Sequence, residues 1–553
     1  MTTQPDPPSR QTTSVDAAET AAPSATPVHH AATAIPSATP VEPVETAAPD
    51  RPTPATRRRS WWGARATRIV AAVIVVLGAA LAAFAWAFAS PVGAAPDDNY
   101  HLSATWCPSP INEHCPVTTA PDGALQVTVP AQLGETVCYW TKADMSASCV
   151  YDIPDDGTTV TRRMDDGLYP GGYYDIMHLA VGPGVMASVL RIRAINAGLA
   201  IVLCAALGFL LTPALRRCLA YLVIGAALPL PLYLVASTNP SGWAIIGVGT
   251  VAVGLSGAAA VPVRWRRWAL LALAVLGAAI ASMARADAAA YCVLTAVVVG
   301  VFHLPRLRRQ WGWWIAGTVV IALGVVGYLS AAQHDALATG LEPHPERAPG
   351  MVLTNNLMQV GGLVLQIWMG ALGWLDTPLP YTATVLAMVV FAGLLFWGLR
   401  HSAWTKGLAI AVVAGAMVAL PLMVLQSGLN LVGEGVQARY IVPLGVVLLW
   451  LALLRPDGTG IEALSPIQAW LAWGSVSLAH CLMLFAVIRR YVTGIDVTSF
   501  DLNQGVEWWH LSGPSPMVTW IGGSVGFALA ALVIFLVAGR NERLSGPSGT
   551  GRW

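Results

Sequence analysis

Asp97 and Asp98 stand side by side in "PDDNYH", just past a long apolar segment, with His101 three positions beyond Asp98. A carboxylate pair can act as a general base or hold a divalent metal ion, and the spacing lets His101 share a helical face with Asp98. Arg285 in "SMARADAAAY" and Arg439 in "GEGVQARYIVP" carry guanidinium forks that match phosphate oxygens two at a time. Asn239 in "NPSG", Asp376 in "GWLDTPLP", and Gln437 and Tyr440 beside Arg439 complete a set of polar residues set against apolar runs. These types suit transfer from a phosphate-bearing donor. Asp97 or Asp98 would be base or metal ligand, with His101 beside them. Asn239, Arg285, Asp376, Gln437, Arg439 and Tyr440 would contact substrate.

Taken singly, each piece also has a plainer explanation. Asp97 or Asp98 can cap a helix starting near Asn99. "NPSG" has the composition of a turn, Arg285 and Asp287 can form an interfacial ion pair, and Arg439 can snorkel. The group gains weight only from where the surrounding elements place it.

Those elements are apolar. Only 11% of the 553 residues are charged, against about 25% in soluble domains, so the fold class expected is an all-α polytopic membrane protein. A net charge of +1 gives no reason to expect a nucleic-acid partner. Many of the 22 tryptophans lie near the ends of apolar runs, as in an interfacial belt. Residues 1–60, rich in Pro, Ala and Thr, read as a disordered cytoplasmic tail, and 61–90 as the first transmembrane helix. A signal peptide is a weaker alternative, although "FASPVGAA" resembles a cleavage site. Residues 91–193 read as an extracytoplasmic loop domain, 194–540 as a multi-helix membrane domain, and 541–553 as a short cytoplasmic tail.

Arginine clusters at "LRRC", "VRWRRW", "PRLRR", "LRHSAWTK" and "GRNER" fit alternating crossings of a plasma membrane with both termini inside. The further crossings fall near 194–213, 218–236, 243–261, 268–284, 287–303, 312–331, 382–399, 407–427, 440–454, 467–488 and 517–538, about twelve in all. Segment 352–372, carrying Asn355, Asn356, Gln359 and Gln366, reads as re-entrant or interfacial. Arg489 and Arg490 fall outside and break the charge rule. All the polar groups named above then open on the outer face.

Four cysteines, Cys107, Cys115, Cys138 and Cys149, lie in the first outer loop. An even set outside the cell points to disulfides, with the sequence-local pairing favoured among three. A zinc site from Cys107, Cys115 and His114 is the alternative.

The ordered motifs "PDDNYH", "YPGGYY", "NPSG", "GWLDTPLP" and "GEGVQARYIVP" resemble those of domain-of-unknown-function family 2142, bacterial polytopic membrane proteins, over about residues 70–540. "GWLDTPLP" is the most specific match. Asp98 stands where that family usually has Glu, and the cysteine-bearing insert is a second departure. At fold level the family resembles the GT-C glycosyltransferases. That resemblance implies a polyprenyl-phosphate sugar as donor, a glycan or protein acceptor, and an acidic residue in the first outer loop. A transporter, a flippase or a non-enzymatic envelope-assembly protein is the competing class.

Overall fold

The structure, a computed structural model, describes residues 54–134, 138–227, 229–335 and 343–543. Most of the expected N-terminal tail, Glu342 and the last ten residues lie outside them. The chain divides into Met1–Trp62, of which 54–62 are described and helical, and Gly63–Trp553, which holds everything below.

The chain is mostly helical, as its composition requires. Ten helices among the described residues are long and apolar enough to cross a membrane: Ile69–Phe88, Val185–Leu210, Ser241–Ala260, Arg264–Ala284, Ala286–Leu307, Trp311–Leu329, Tyr381–Leu399, Trp404–Ser427, Pro466–Val492 and Pro516–Gly539. Two of the twelve expected crossings take a different form. Pro213–Ala226 and Pro229–Val235 meet at 96°, where Pro229 and Pro231 have no amide hydrogen to continue a helix. Val442–Leu453 has 12 residues and so rises only about 18 Å. Helix Pro349–Met369 contains the four amides of 352–372 and is not among the ten.

Small residues let the helices approach. A Cβ at Gly247 would collide with the carbonyl of Gly277, so Ser241–Ala260 and Arg264–Ala284 pack backbone to backbone, as is common where lipid supplies no hydrophobic drive. The short helix Val442–Leu453 is buried along nearly its whole length. Its C-terminal end is closed by Lys406, whose ammonium donates to the carbonyls of Gly398, Ala452 and Leu454 at 2.7, 2.8 and 2.6 Å. A cation at helix C-termini satisfies orphan carbonyls and opposes the dipole.

The first loop is not wholly helical. Val117–Thr119, Leu125–Pro130 and Thr158–Thr161 form an antiparallel sheet in that order, with Val127 opposite both Val117 and Thr161. Their Val and Thr residues favour the pleated conformation, and Gly123 at φ 84° closes the first hairpin. Alternation buries Val127 and Val129. Disulfides join Cys107 to Cys115 and Cys138 to Cys149. That is the sequence-local pairing, and it removes the zinc alternative because both thiols of that site are consumed.

Candidate functional site

The segment 90–98 is where the motifs meet. Helix Asp98–Trp106 starts one residue after Asp97, which sits at its N-cap position with φ 58° and ψ 20°. This left-handed backbone sends the two neighbouring carboxylates in different directions. Asp97 caps through its backbone, its carbonyl accepting from the Tyr100 and His101 amides at 2.9 and 3.0 Å. Its side chain makes no cap bond and pairs instead with Arg439. Asp98 is completely buried. Thr238 Oγ1 donates to its Oδ1 at 2.6 Å and the Ala95 amide to its Oδ2 at 3.0 Å.

The other motifs brace this segment from several sides. Asn239 Nδ2 donates to the Pro96 carbonyl at 2.6 Å, while its Oδ1 accepts from the Ser241 amide at 2.8 Å and shapes the turn into Ser241–Ala260. Both bonds are internal, so Asn239 is spent on positioning. Tyr173 donates to the Thr238 carbonyl at 2.7 Å, and the Tyr174 hydroxyl lies 2.9 Å from His101 Nδ1. Trp374 Nε1 donates to the Gly93 carbonyl at 2.7 Å. Arg193 gives three bonds, to the carbonyls of Ala87, Ser90 and Pro91, and so closes the C-terminal end of the first helix.

Two guanidiniums converge on the Asp97 side. Arg285 lies 4.6 Å and Arg439 5.1 Å from the ring centre of Tyr440, so one ring faces both. Arg285 is held in a fork by Asp287, at 2.9 Å on each side, and lies over Tyr169 as well. Both arginines are buried. Yet Arg439 Nε and Nη1, Arg285 Nη1, His101 Nε2 and Gln437 Oε1 are buried without a hydrogen-bond partner among the described residues. Three of these are guanidinium donors. Unpaired buried donors are costly, and a negatively charged group placed here would give these nitrogens partners.

The electrostatics separate the two aspartates further. Burial acts to raise the Asp97 carboxyl, but Arg439 and Arg285 outweigh it and hold it below its ordinary value. Burial pushes Asp98 up to about 6, against the opposing bond from Thr238 and the charge of Arg193. Burial also drives His101 down to about 3, with Arg439 and Arg285 adding to the effect, so the imidazole stays neutral.

A family model of predicted membrane proteins, DUF2142, matches residues 80–449. The chain belongs to the DUF2142 family. All five motifs lie within the matched stretch, and the bonds above give them a common physical purpose: they hold segment 90–98 and the side chains facing it. No curated protein and no solved structure matches the chain.

Beyond the DUF2142 match, Arg489 and Arg490, which depart from the expected charge pattern, are both bonded to loop carbonyls. Arg489 Nη2 donates to the Ser499 and Asp501 carbonyls. Arg490 donates to the carbonyls of Met145 and Tyr139 and to Asp376 Oδ2 at 2.5, 2.9 and 2.8 Å. They are clamps for loops rather than markers of sidedness. Asp376, expected among the substrate contacts, is taken up by Arg490 and by the Thr141 amide.

A divalent metal does not fit the two carboxylates. Asp97 faces Arg439 and Asp98 faces Thr238, and no group of three or more His, Cys, Asp or Glu among the described residues is placed to hold one. Sequence reasoning overlooked Tyr169, Tyr174, Arg193 and Thr238. Arg193 and Asn196 inside an apolar helix were the available signal, since ionisable residues in such segments need partners.

Proposed function

We propose that this protein transfers a glycosyl group from a polyprenyl phosphate at the outer face of the plasma membrane, for cell-envelope glycan or glycoprotein assembly. The observation that carries this is the set of unpaired donors on Arg439 and Arg285 beside Asp97, the partly exposed carboxylate. The acceptor hydroxyl attacks the anomeric carbon and the bond from that carbon to the phosphate oxygen breaks. The electron pair leaves with the phosphate, which the two guanidiniums stabilise as charge develops. The hydroxyl proton passes to Asp97, whose low basicity also suits it to stabilise the cationic sugar. Asp98 takes no proton; it fixes the loop from behind.

Reconstituted protein given a labelled polyprenyl-phosphate hexose and an envelope extract is expected to release polyprenyl phosphate and label an acceptor. Asp97→Asn is expected to abolish both while folded protein is recovered in normal amounts. Full turnover in that variant would sink the assignment, and label that crosses the vesicle wall without transfer would point to a carrier.

A further inference from the structure

We propose that Trp140 and Trp374 form a stacking platform for a hexopyranose ring of the acceptor glycan. Their ring centroids are 5.0 Å apart and their planes tilted by 54°. Trp140 is 44% exposed and Trp374 half-buried. The two rings come from the first loop and from "GWLDTPLP", 234 positions apart in the chain.

The platform is rigid. Cys138 is bonded to Cys149 just before Trp140, and Arg490 holds the Tyr139 and Met145 carbonyls on either side of it. The Thr141 amide is bonded to Asp376 at 3.2 Å. Trp374 is fixed through Nε1 to the Gly93 carbonyl, four residues before Asp97. Among the described residues four non-glycines have a left-handed backbone: Asp97, Thr141, Leu375 and Leu429. One is the candidate base, and two adjoin these tryptophans. Such backbone is unfavourable for Thr and Leu and persists where the surroundings enforce it.

A pyranose suits this surface. Its C–H faces carry partial positive charge and meet the negative faces of indole rings, while its hydroxyls reach polar groups at the edge. Exposed Lys142 and Asp144 lie within four residues of Trp140, and charges there disfavour immersion of the same surface in lipid. The link to Gly93 ties the platform to segment 90–98, the same segment that carries Asp97. As an acceptor subsite it rests on the transfer reading; as a glycan-binding surface it is tested without it.

The test uses the full chain in lipid nanodiscs on an array of neutral glucose, galactose and mannose oligosaccharides. Wild type is expected to bind at least one series, and Trp140→Ala and Trp374→Ala each to weaken it about tenfold, with Trp140→Phe between. Trp140 is half-exposed, so its variant keeps the proposal falsifiable even where Trp374→Ala fails to fold. Arg439→Gln is expected to keep glycan binding while binding polyprenyl phosphate more weakly, which separates this platform from the transfer site. Absence of binding to every glycan by wild type, binding indifferent to both alanine variants, or an effect on lipid association alone would each overturn the proposal.

Discussion

Two aspartate–arginine pairs stand beside segment 90–98, and they differ in what they leave unsatisfied. In Asp376–Arg490 both side chains are buried, at 5% and 0% exposure, and the guanidinium also serves two carbonyls that hold the Cys138–Cys149 loop, which leaves Nε alone without a partner among the described residues. In Asp97–Arg439 the carboxylate is 36% exposed and two guanidinium nitrogens are buried without partners among the described residues. The same two residue types thus make a clamp in one place and an open receptor in the other. The difference lies in the neighbouring carbonyls: the loop beside Arg490 turns two of them toward it, whereas Arg439 lies against the ring and hydroxyl of Tyr440.

The sharpest way to break this contrast is to remove each arginine. Arg490→Ala leaves a buried carboxylate and two carbonyls stranded and is expected to cost about 3–5 kcal/mol, read as loss of folded protein and a lower unfolding midpoint in detergent. Normal stability in that variant would make the clamp assignment wrong.

Asp98 gives the next largest effect. Its folded pKa is raised from about 4 to about 6, so the proton favours the folded state. Its stabilising contribution is complete below about pH 4 and is lost as pH rises through about 6. The loss amounts to ~2–3 kcal/mol. Subtracting the stability profile of Asp98→Asn from that of wild type isolates this step, since Asp97, held low, acts in the opposite direction and is present in both. A difference profile flat from pH 4 to 7 would show that Asp98 is not perturbed.

Arg439→Gln is expected to fold, because solvent reaches the Asp97 it releases, but to bind polyprenyl phosphate tenfold to about a hundredfold more weakly, as befits hydrogen bonds to a charged group. Unchanged affinity would reduce the unpaired nitrogens to a packing accident. The smallest effect belongs to Tyr440→Phe. It deletes a 3.2 Å bond from Arg439 but keeps the ring between the two guanidiniums, so a change of severalfold or less is expected.

Much of this was legible in the sequence because membrane segments announce themselves by composition and loops by motif order. Asp97, Arg285 and Arg439 lie together on one side of segment 90–98, and the cysteines pair locally. What escaped was direction. Nothing in "PDDNYH" says that Asp97 adopts a left-handed backbone, and it is this that parts it from Asp98. Asp376 read as a substrate contact because its partner, Arg490, lies 114 positions away in the chain. The three strands of the first loop are only three to six residues long, too brief for alternation to stand out. Helix Val442–Leu453 read as a crossing because its flanks are apolar as well, although the helix itself stops far short of a bilayer's width.

That short helix also bears on how the fold meets a bilayer. It rises ~18 Å, where hydrocarbon is ~30 Å thick, yet it is buried along nearly its whole length. Hydrophobic mismatch arises at a boundary with lipid. A helix enclosed by longer helices meets no such boundary, so its length is free to follow the site rather than the bilayer.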